Sequence, residues 1–471
     1  MSLSRRSMVI GAAIAASAPH LTRAAGDQKV LRLQTRQIEV GGKAATRYGV
    51  VQASGAFGLT LNEGDDLDVR LENTLAQPSG LHWHGMIPPW RQDGVPFISG
   101  PPVPPGKSAD FKFPARPVGT RWMHSHFGLQ EQSLLAAPLI VREAAAINTQ
   151  EVVILLQDFS WTSPQALYGA LRKPKPAMAM AGGGMNMPNM NMPAGGMNMS
   201  KPDLNDVTYD AFLANDRTLA DPQVIDVAGN ADVRLRIING ASSTNFMIDL
   251  GALRGTLLAV DGNPVAALQA RQFPLAIAQR VDILLRVPAD GGAVPVLAGG
   301  EGRTLQTGVI LRPPGAAVTK ISSDAMEAGP AVELDQEMQL RASQPLPTRP
   351  VDRSVPVDLT GTMAGYVWGM QVHGMGGAPV TIKRGERVEL VMRNTTMMAH
   401  PMHLHGHNFQ VSEINGQKIA GAVRDTVLVT PMATVKVVFD ADNPGLWAYH
   451  CHNLYHMEAG MFTTVVYEGF S

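Results

Sequence analysis

Cysteine is almost absent from this chain: Cys451 is the only one in 471 residues. An internal disulfide is therefore excluded, and cysteine usage is silent on the redox compartment. Charge of one sign is lacking as well. With 39 basic residues against 40 acidic ones the formal net charge is −1, and charged residues are 17% of the chain. Nothing in that balance asks for nucleic acid or an anionic membrane surface. Long apolar runs are missing: the Ala-rich run near the N-terminus ends at about Ala18 and is too short to span a bilayer. Histidine occurs 13 times, yet none falls between His126 and His373. A site built from many histidines must therefore draw on the two ends of the chain and skip its middle, which is left as a spacer.

Glycine (47) and proline (34) are plentiful, and short runs of alternating apolar and polar residues recur between turn residues, which predicts an all-β chain. The length suits about three domains of ~150 residues each. Internal echoes agree with that number. Val69-Arg70-Leu71-Glu72-Asn73, Val233 to Asn239 and Val388 to Asn394 each alternate and then stop at Asn. Gly119-Thr120-Arg121-Trp122-Met123-His124-Ser125-His126 lies over Gly445-Leu446-Trp447-Ala448-Tyr449-His450-Cys451-His452, with Ser125 where Cys451 stands. The expected architecture is three Greek-key β-sandwich domains over 26–145, 146–330 and 331–471, with Gly315 to Ala331 a weakly patterned connector. Ahead of them, Ser4-Arg5-Arg6-Ser7-Met8-Val9 and the apolar run read as a twin-arginine export signal over residues 1–25, cleaved near Ala24 or Ala25. An ordinary secretory signal that happens to carry two arginines is the alternative. The mature chain is expected to be exported, without a membrane span, and monomeric.

The densest chemistry lies in the twelve residues from His450 to Met461, which hold three histidines, the thiol and two thioethers. Two histidines and a cysteine with a weak axial methionine form the ligand set of a blue-copper electron-transfer centre. The segment supplies Cys451, His456 and Met461, so one more histidine is needed. On a strand, alternate side chains point to opposite faces. His450 and His452 then face away from Cys451, and one strand end joins a copper held by Cys451 to a second site held by its neighbours. Four His-x-His pairs occur in all: His82-Trp83-His84, His124-Ser125-His126, His403-Leu404-His405 and His450-Cys451-His452. Two belong to the first domain and two to the third, so a site using all eight lies between those domains. His400 precedes the third pair and is free to complete the blue site; His407 is placed to support that pair.

With those motifs the chain resembles the three-domain multicopper oxidases over essentially all of its mature length. The resemblance rests on His82-Trp83-His84-Gly85, His124-Ser125-His126, His400-x-x-His403-x-His405 and His450-Cys451-His452-x-x-x-His456-x-x-x-x-Met461. It implies three cupredoxin-like domains and four copper ions: one type 1, one type 2 and two type 3. Carried over motif by motif, type 1 is His400, Cys451, His456 and axial Met461. Type 2 is His82 and His403. The type 3 pair is His84, His124 and His452 on one copper and His126, His405 and His450 on the other. The implied reaction takes single electrons from a reductant, passes them through Cys451 and reduces O2 to two waters. Protons must arrive too. Asp93 looks like the carboxylate that the family keeps near type 2 copper, and it reads equally well as the first residue of an Asp-Gly turn. Some bacterial relatives carry a proton-relaying Glu directly after the second type 1 histidine; here that position is Met457, and the acid follows as Glu458.

The pattern from His124 to Gln132 and the ending Tyr455 to Met461 look most like periplasmic copper-resistance oxidases. A low-complexity stretch agrees with them. Met178, Met180, Met185, Met187, Met190, Met192, Met197 and Met199 sit among Gly, Asn and Pro at a density that will not form a packed element. Soft thioethers suit Cu(I), and a disordered insert with incidental methionines is the alternative. Met398, two residues before His400, either helps a substrate copper approach or packs in the core. The expected reductants are Cu(I), small phenols or both. A copper carrier that works through the Met loop alone has no use for four paired histidine motifs.

Overall fold

The computed structural model describes residues 28–144, 149–173, 204–289, 292–374 and 379–470. The export signal and the methionine-rich loop, Met178 to Met199, lie outside these residues. The chain forms three β-sandwiches in sequence order. Two four-stranded sheets lie between Lys29 and Arg142, a six- and a five-stranded sheet between Gln150 and Arg312, and a seven- and a five-stranded sheet between Arg353 and Tyr467. These are cupredoxin-like sandwiches, as the alternating runs predict. In strand Asp66–Asn73, Leu67, Val69 and Leu71 are buried and alternate with more exposed polar residues. That two-residue period gives each strand one core face. Among the described residues no helix is long and apolar enough to cross a membrane.

The three Asn-terminated runs occupy equivalent strands. Asp66–Asn73, Asp232–Asn239 and Arg387–Asn394 each pair in parallel with the opening strand of their own sandwich and antiparallel with a later one. The terminal Asn has one job in all three. Asn73, Asn239 and Asn394 each accept the backbone N–H two residues on, at 3.0, 3.0 and 2.9 Å, and donate to two or three carbonyls of neighbouring loops. Such an Asx turn competes with the ladder and ends the strand.

The first sandwich has its own apolar core, around Leu31, Leu67, Trp83 and Phe113, whereas the cores of the second and third are continuous. Where all three meet, the contact is charged. Arg121, Arg280 and Arg424 are buried together with Asp261 and Asp425. A buried charge is tolerated only when paired and hydrogen-bonded, so this junction fixes the relative position of the sandwiches by geometry rather than by area.

Candidate metal centre

Strand register brings the histidines together. Leu81–His84 pairs antiparallel with Gly119–Ser125, setting His82 opposite His124. His400–Leu404 pairs antiparallel with Leu446–Cys451, setting His403 opposite His450 and Met402 opposite Cys451. Facing residues on paired strands share a face. The even-numbered His400 therefore shares a face with Met402 and Cys451, while the odd-numbered His403 and His405 share the other with His450. One short strand thus feeds two sites.

On the first face His400, Cys451 and His456 converge and are fully buried. The two Nδ1 atoms lie 3.1 Å apart, and each is 3.7 Å from Cys451 Sγ. His456 comes from the short helix Leu454–Glu458, which Asn453 caps by accepting the N–H groups of Tyr455 and His456. His400 Nε2 meets Thr396 Oγ1 at 2.8 Å. Asp206 Oδ2 lies 3.0 Å from His456 Nε2 but out of line for a hydrogen bond. The Trp368 ring covers His456 at 4.1 Å between centroids. Met461 is buried, and its carbonyl accepts the Cys451 N–H at 3.1 Å.

On the second face the eight paired histidines form one cluster between the first and third sandwiches. Most of these rings have a polar partner behind them. His82 Nδ1 meets the Asp93 carbonyl at 3.1 Å, and His405 Nδ1 meets Asp93 Oδ2 at 2.9 Å. His124 Nδ1 is 2.8 Å from Glu131 Oε2, and His403 Nδ1 is 2.8 Å from the Asp425 carbonyl. His450 Nδ1 meets the Cys451 carbonyl at 2.9 Å. His84 alone turns the other nitrogen outward, with Nε2 3.1 Å from Asp425 Oδ1. A neutral imidazole has one N–H and one lone pair. With the N–H spent on these outward acceptors, the lone pairs point inward.

Among the described residues most of the inward nitrogens have no hydrogen-bond partner. His82 Nε2, His403 Nε2, His84 Nδ1, His124 Nε2 and His452 Nε2 are buried without a hydrogen-bond partner. The Nε2 atoms of His126 and His405 face that of His450 at 3.2 and 3.0 Å. Lone pairs gathered this closely in a buried space are costly unless a cation sits among them. Burial first, and then neighbouring imidazoles, hold His84, His124, His126, His403, His405 and His452 well below the usual histidine range, and burial lowers His450 to about 4. His400 is lowered in the same way, and burial pushes the Cys451 thiol up. Neutral imidazoles with lone pairs facing inward are what a metal requires, and binding it would deprotonate the thiol. Both donor sets therefore fit copper: two nitrogens and a thiol sulfur for the first, all nitrogen for the second.

The remaining sequence candidates are placed differently from one another. Asp93 is buried against His82 and His405, and Gly94 after it has the φ of +78° that an Asp-Gly turn uses. Glu458 is exposed on the helix that carries His456. It lies near Tyr168, and no contact with the eight-histidine cluster occurs among the described residues. Two positions further on a helix is the opposite side, which accounts for it. Met398 is buried and lines a small cavity with Glu301, Leu204 and Asn453. His407 is buried, with Nδ1 3.0 Å from the His405 carbonyl. Sequence reading missed Glu131, Asp425 and Asp206. Glu131 backs the cluster from the short 3-10 helix Glu131–Ser133 and Asp425 from the junction between strands Val423–Arg424 and Thr426–Val429, and Glu131 is held well above the usual carboxylate range by burial and then Asp158.

Comparison with known proteins points the same way. Three family models, each described as multicopper oxidase, match residues 33–146, 150–310 and 348–469. The multicopper oxidase MmcO of Mycobacterium tuberculosis is 32% identical over 96% of this chain and 89% of its own length. A copper resistance protein A homolog of Pseudomonas syringae pv. tomato is 27% identical over 93% of this chain and 92% of its own length. Laccase-1 of Botryotinia fuckeliana is 25% identical over 86% and 75%. Among solved structures, Fet3p, a multicopper oxidase that functions in iron import, superposes with a TM-score of 0.73 at 18% identity, covering 93% of this chain and 90% of that one. That last likeness speaks for the fold alone. Sequence match over the whole length and a buried His-Cys-His centre beside a histidine cluster lead to one conclusion: the chain belongs to the multicopper oxidases and is a copper-dependent oxidoreductase.

Proposed function

We propose that the chain takes single electrons from a reductant at His400, Cys451 and His456 and uses four of them at the eight-histidine cluster to reduce O2 to two waters. The observation that carries this reading is the buried His400–Cys451–His456 group beside a cluster of histidines, several of whose inward nitrogens have no hydrogen-bond partner. His400, Cys451, His456 and Met461 would hold type 1 copper, and His82 and His403 would hold type 2. His84, His124 and His452 would hold one type 3 copper, and His126, His405 and His450 the other. Copper bound in these sets supplies one-electron transfer at the first site and multi-electron O2 reduction at the second. The backbone of Cys451 joins the thiol to both neighbouring imidazoles, so the two sites are coupled through covalent bonds. Asp93 orients His82 and His405 from behind and in this reading supplies protons bound for oxygen. Glu458, beside Tyr168, belongs in this reading to the electron-entry side. Domain boundaries near 145 and 330 go with it.

For the reductant we favour Cu(I). Residues on both sides of the methionine-rich loop reach the surroundings of His456. Tyr168, in helix Pro164–Leu171, lies 6.3 Å from Tyr455 and 6.4 Å from Tyr366 between ring centroids, and Asp206 reaches His456 itself. In this reading the eight thioethers of residues 178–199, with Met398, receive the substrate Cu(I). The names of the copper-resistance relatives support a role in copper tolerance, and the N-terminal signal supports export to a periplasm by the twin-arginine route. The laccase relative keeps phenols as the second reading. Oxygen uptake with Cu(I) and with a dimethoxyphenol, each with and without residues 178–199, separates them. Deletion that depresses Cu(I) oxidation far more than phenol oxidation supports a cuprous oxidase. Two unchanged rates would make the loop a tether or reservoir and the enzyme a laccase.

A further inference from the structure

The middle sandwich carries none of the clustered histidines, yet one of its side chains reaches the cluster. Arg280, at the start of strand Arg280–Arg286, is fully buried where the three sandwiches meet. A guanidinium has five N–H donors, and all five have an acceptor here. Nε donates to the Thr120 carbonyl of the first sandwich at 3.2 Å. Nη1 donates to the Ala278 carbonyl at 3.1 Å and to Asp425 Oδ1 at 2.7 Å. Nη2 donates to the Asp261 carbonyl at 3.2 Å and to Asp425 Oδ2. Asp425, so clamped, sits behind two histidines. Its Oδ1 is 3.1 Å from His84 Nε2, and its carbonyl is 2.8 Å from His403 Nδ1. Thr426 Oγ1 donates to the same Oδ1 at 2.9 Å and so reinforces it as the acceptor.

His84 is the exception in the cluster. Its partners hold Nε2, and its free atom is Nδ1, whereas every other unpartnered imidazole nitrogen there is Nε2. A metal-binding histidine takes its tautomer from the acceptor that holds its other nitrogen. We infer that Arg280 is a positioning residue for the cluster: by clamping Asp425 it makes His84 the Nε2–H tautomer and so presents Nδ1 inward. This rests on the assignment of His84 as a copper ligand under the proposed function. Gly85, directly after His84, leaves the space: a Cβ there would stand 2.5 Å from Arg280 Nη2 and 2.8 Å from Asp425 Oδ2. A lysine cannot reproduce the clamp, because an ammonium is a point charge with three donors and no fork.

The test reads the tautomer directly. Nitrogen NMR of the copper-free protein labelled only at histidine distinguishes Nε2–H from Nδ1–H, with His84 assigned from a His84→Asn variant. In the unaltered protein His84 is expected as Nε2–H. In Arg280→Met it is expected to lose that single tautomer, with Arg280→Lys recovering part of it. Copper-loaded Arg280→Met should keep its blue absorption and lose the EPR-silent coupled pair. Arg280→Lys keeps a buried cation beside Asp425 without the five-donor fork, so it reads the same point if Arg280→Met does not fold. His84 remaining wholly Nε2–H in a folded variant without Arg280 overturns the inference. Failure of the unaltered protein to form a coupled pair would instead overturn the ligand assignment.

Discussion

Replacing Gly85 by alanine should unseat the histidine cluster while leaving the thiolate site intact. Gly85 has φ +82°, a left-handed backbone that costs an L-residue about 1–2 kcal/mol. The new methyl would also stand 2.5 Å from Arg280 Nη2, 2.8 Å from Asp425 Oδ2 and 3.0 Å from Arg121 Cδ. None of these atoms is free to retreat, since each side chain is buried and held by the charged junction. Displacing one partner of a buried pair costs about 3–5 kcal/mol. The sum, about 4–7 kcal/mol, is a large share of the ~5–15 kcal/mol that holds a typical domain together. The loss falls beside His84 and His403, and the Cys451 face lies on the far side of its strand. Copper content per chain, blue absorbance and the melting curve of the copper-free protein measure the two separately. The expected result is a normal blue band, a deficit confined to the other coppers and a lowered melting temperature. A variant that loads fully and melts like the parent would show that the junction yields at little cost, and the rigid-clamp reasoning would be wrong.

Cys451→Ser should abolish blue colour and turnover yet stay folded, because a buried hydroxyl in place of the thiol costs about 1–3 kcal/mol; absorption and circular dichroism check it, and a blue variant would sink the type 1 assignment. His403→Ala should stop O2 consumption and spare the blue band, and loss of both together would mean that the two faces are not separable. Acid should destabilise the copper-free protein. The His450 pKa is lowered to about 4 in the folded state, against about 6.5 unfolded, so the unfolded chain binds the extra proton between those values. That stability is fully present above pH ~6.5 and is lost by about 1.4 kcal/mol per unit as pH falls toward 4, with the other depressed histidines adding in the same direction. Urea midpoints that stay flat from about pH 7.5 to about pH 5.5 would contradict it.

What the sequence made legible is what strand periodicity encodes. His-x-His at a two-residue spacing, and the odd-even split between His400 and His403, locate both faces before any tertiary contact is known. The Asn stops mark equivalent strands for the same local reason. Glu131, Asp425 and Arg280 could not be read in this way. Asp425 behind His84 and Arg280 beside Asp425 are set by pairings 341 and 145 residues apart, and Glu131 comes back under His124 through a short 3-10 turn, so none of them leaves a periodic pattern. The gap in histidines suggested a passive middle, yet Arg280 touches carbonyls or carboxylates of all three sandwiches. Glu458 failed to reach the cluster because the chain leaves the strand at Cys451 and turns helical before it.

The meeting of His126 with His450 closes a loop of 324 residues. Bringing such distant points together costs on the order of 5 kcal/mol in chain entropy, and this chain has no disulfide with which to lock them. Coordination would do the fastening instead: a clasp between the first and third sandwiches that can form only once strand Leu446–Cys451 has been synthesised. A chelator, acting on a finished molecule, would reopen the seam between sandwiches before it unravelled any one of them.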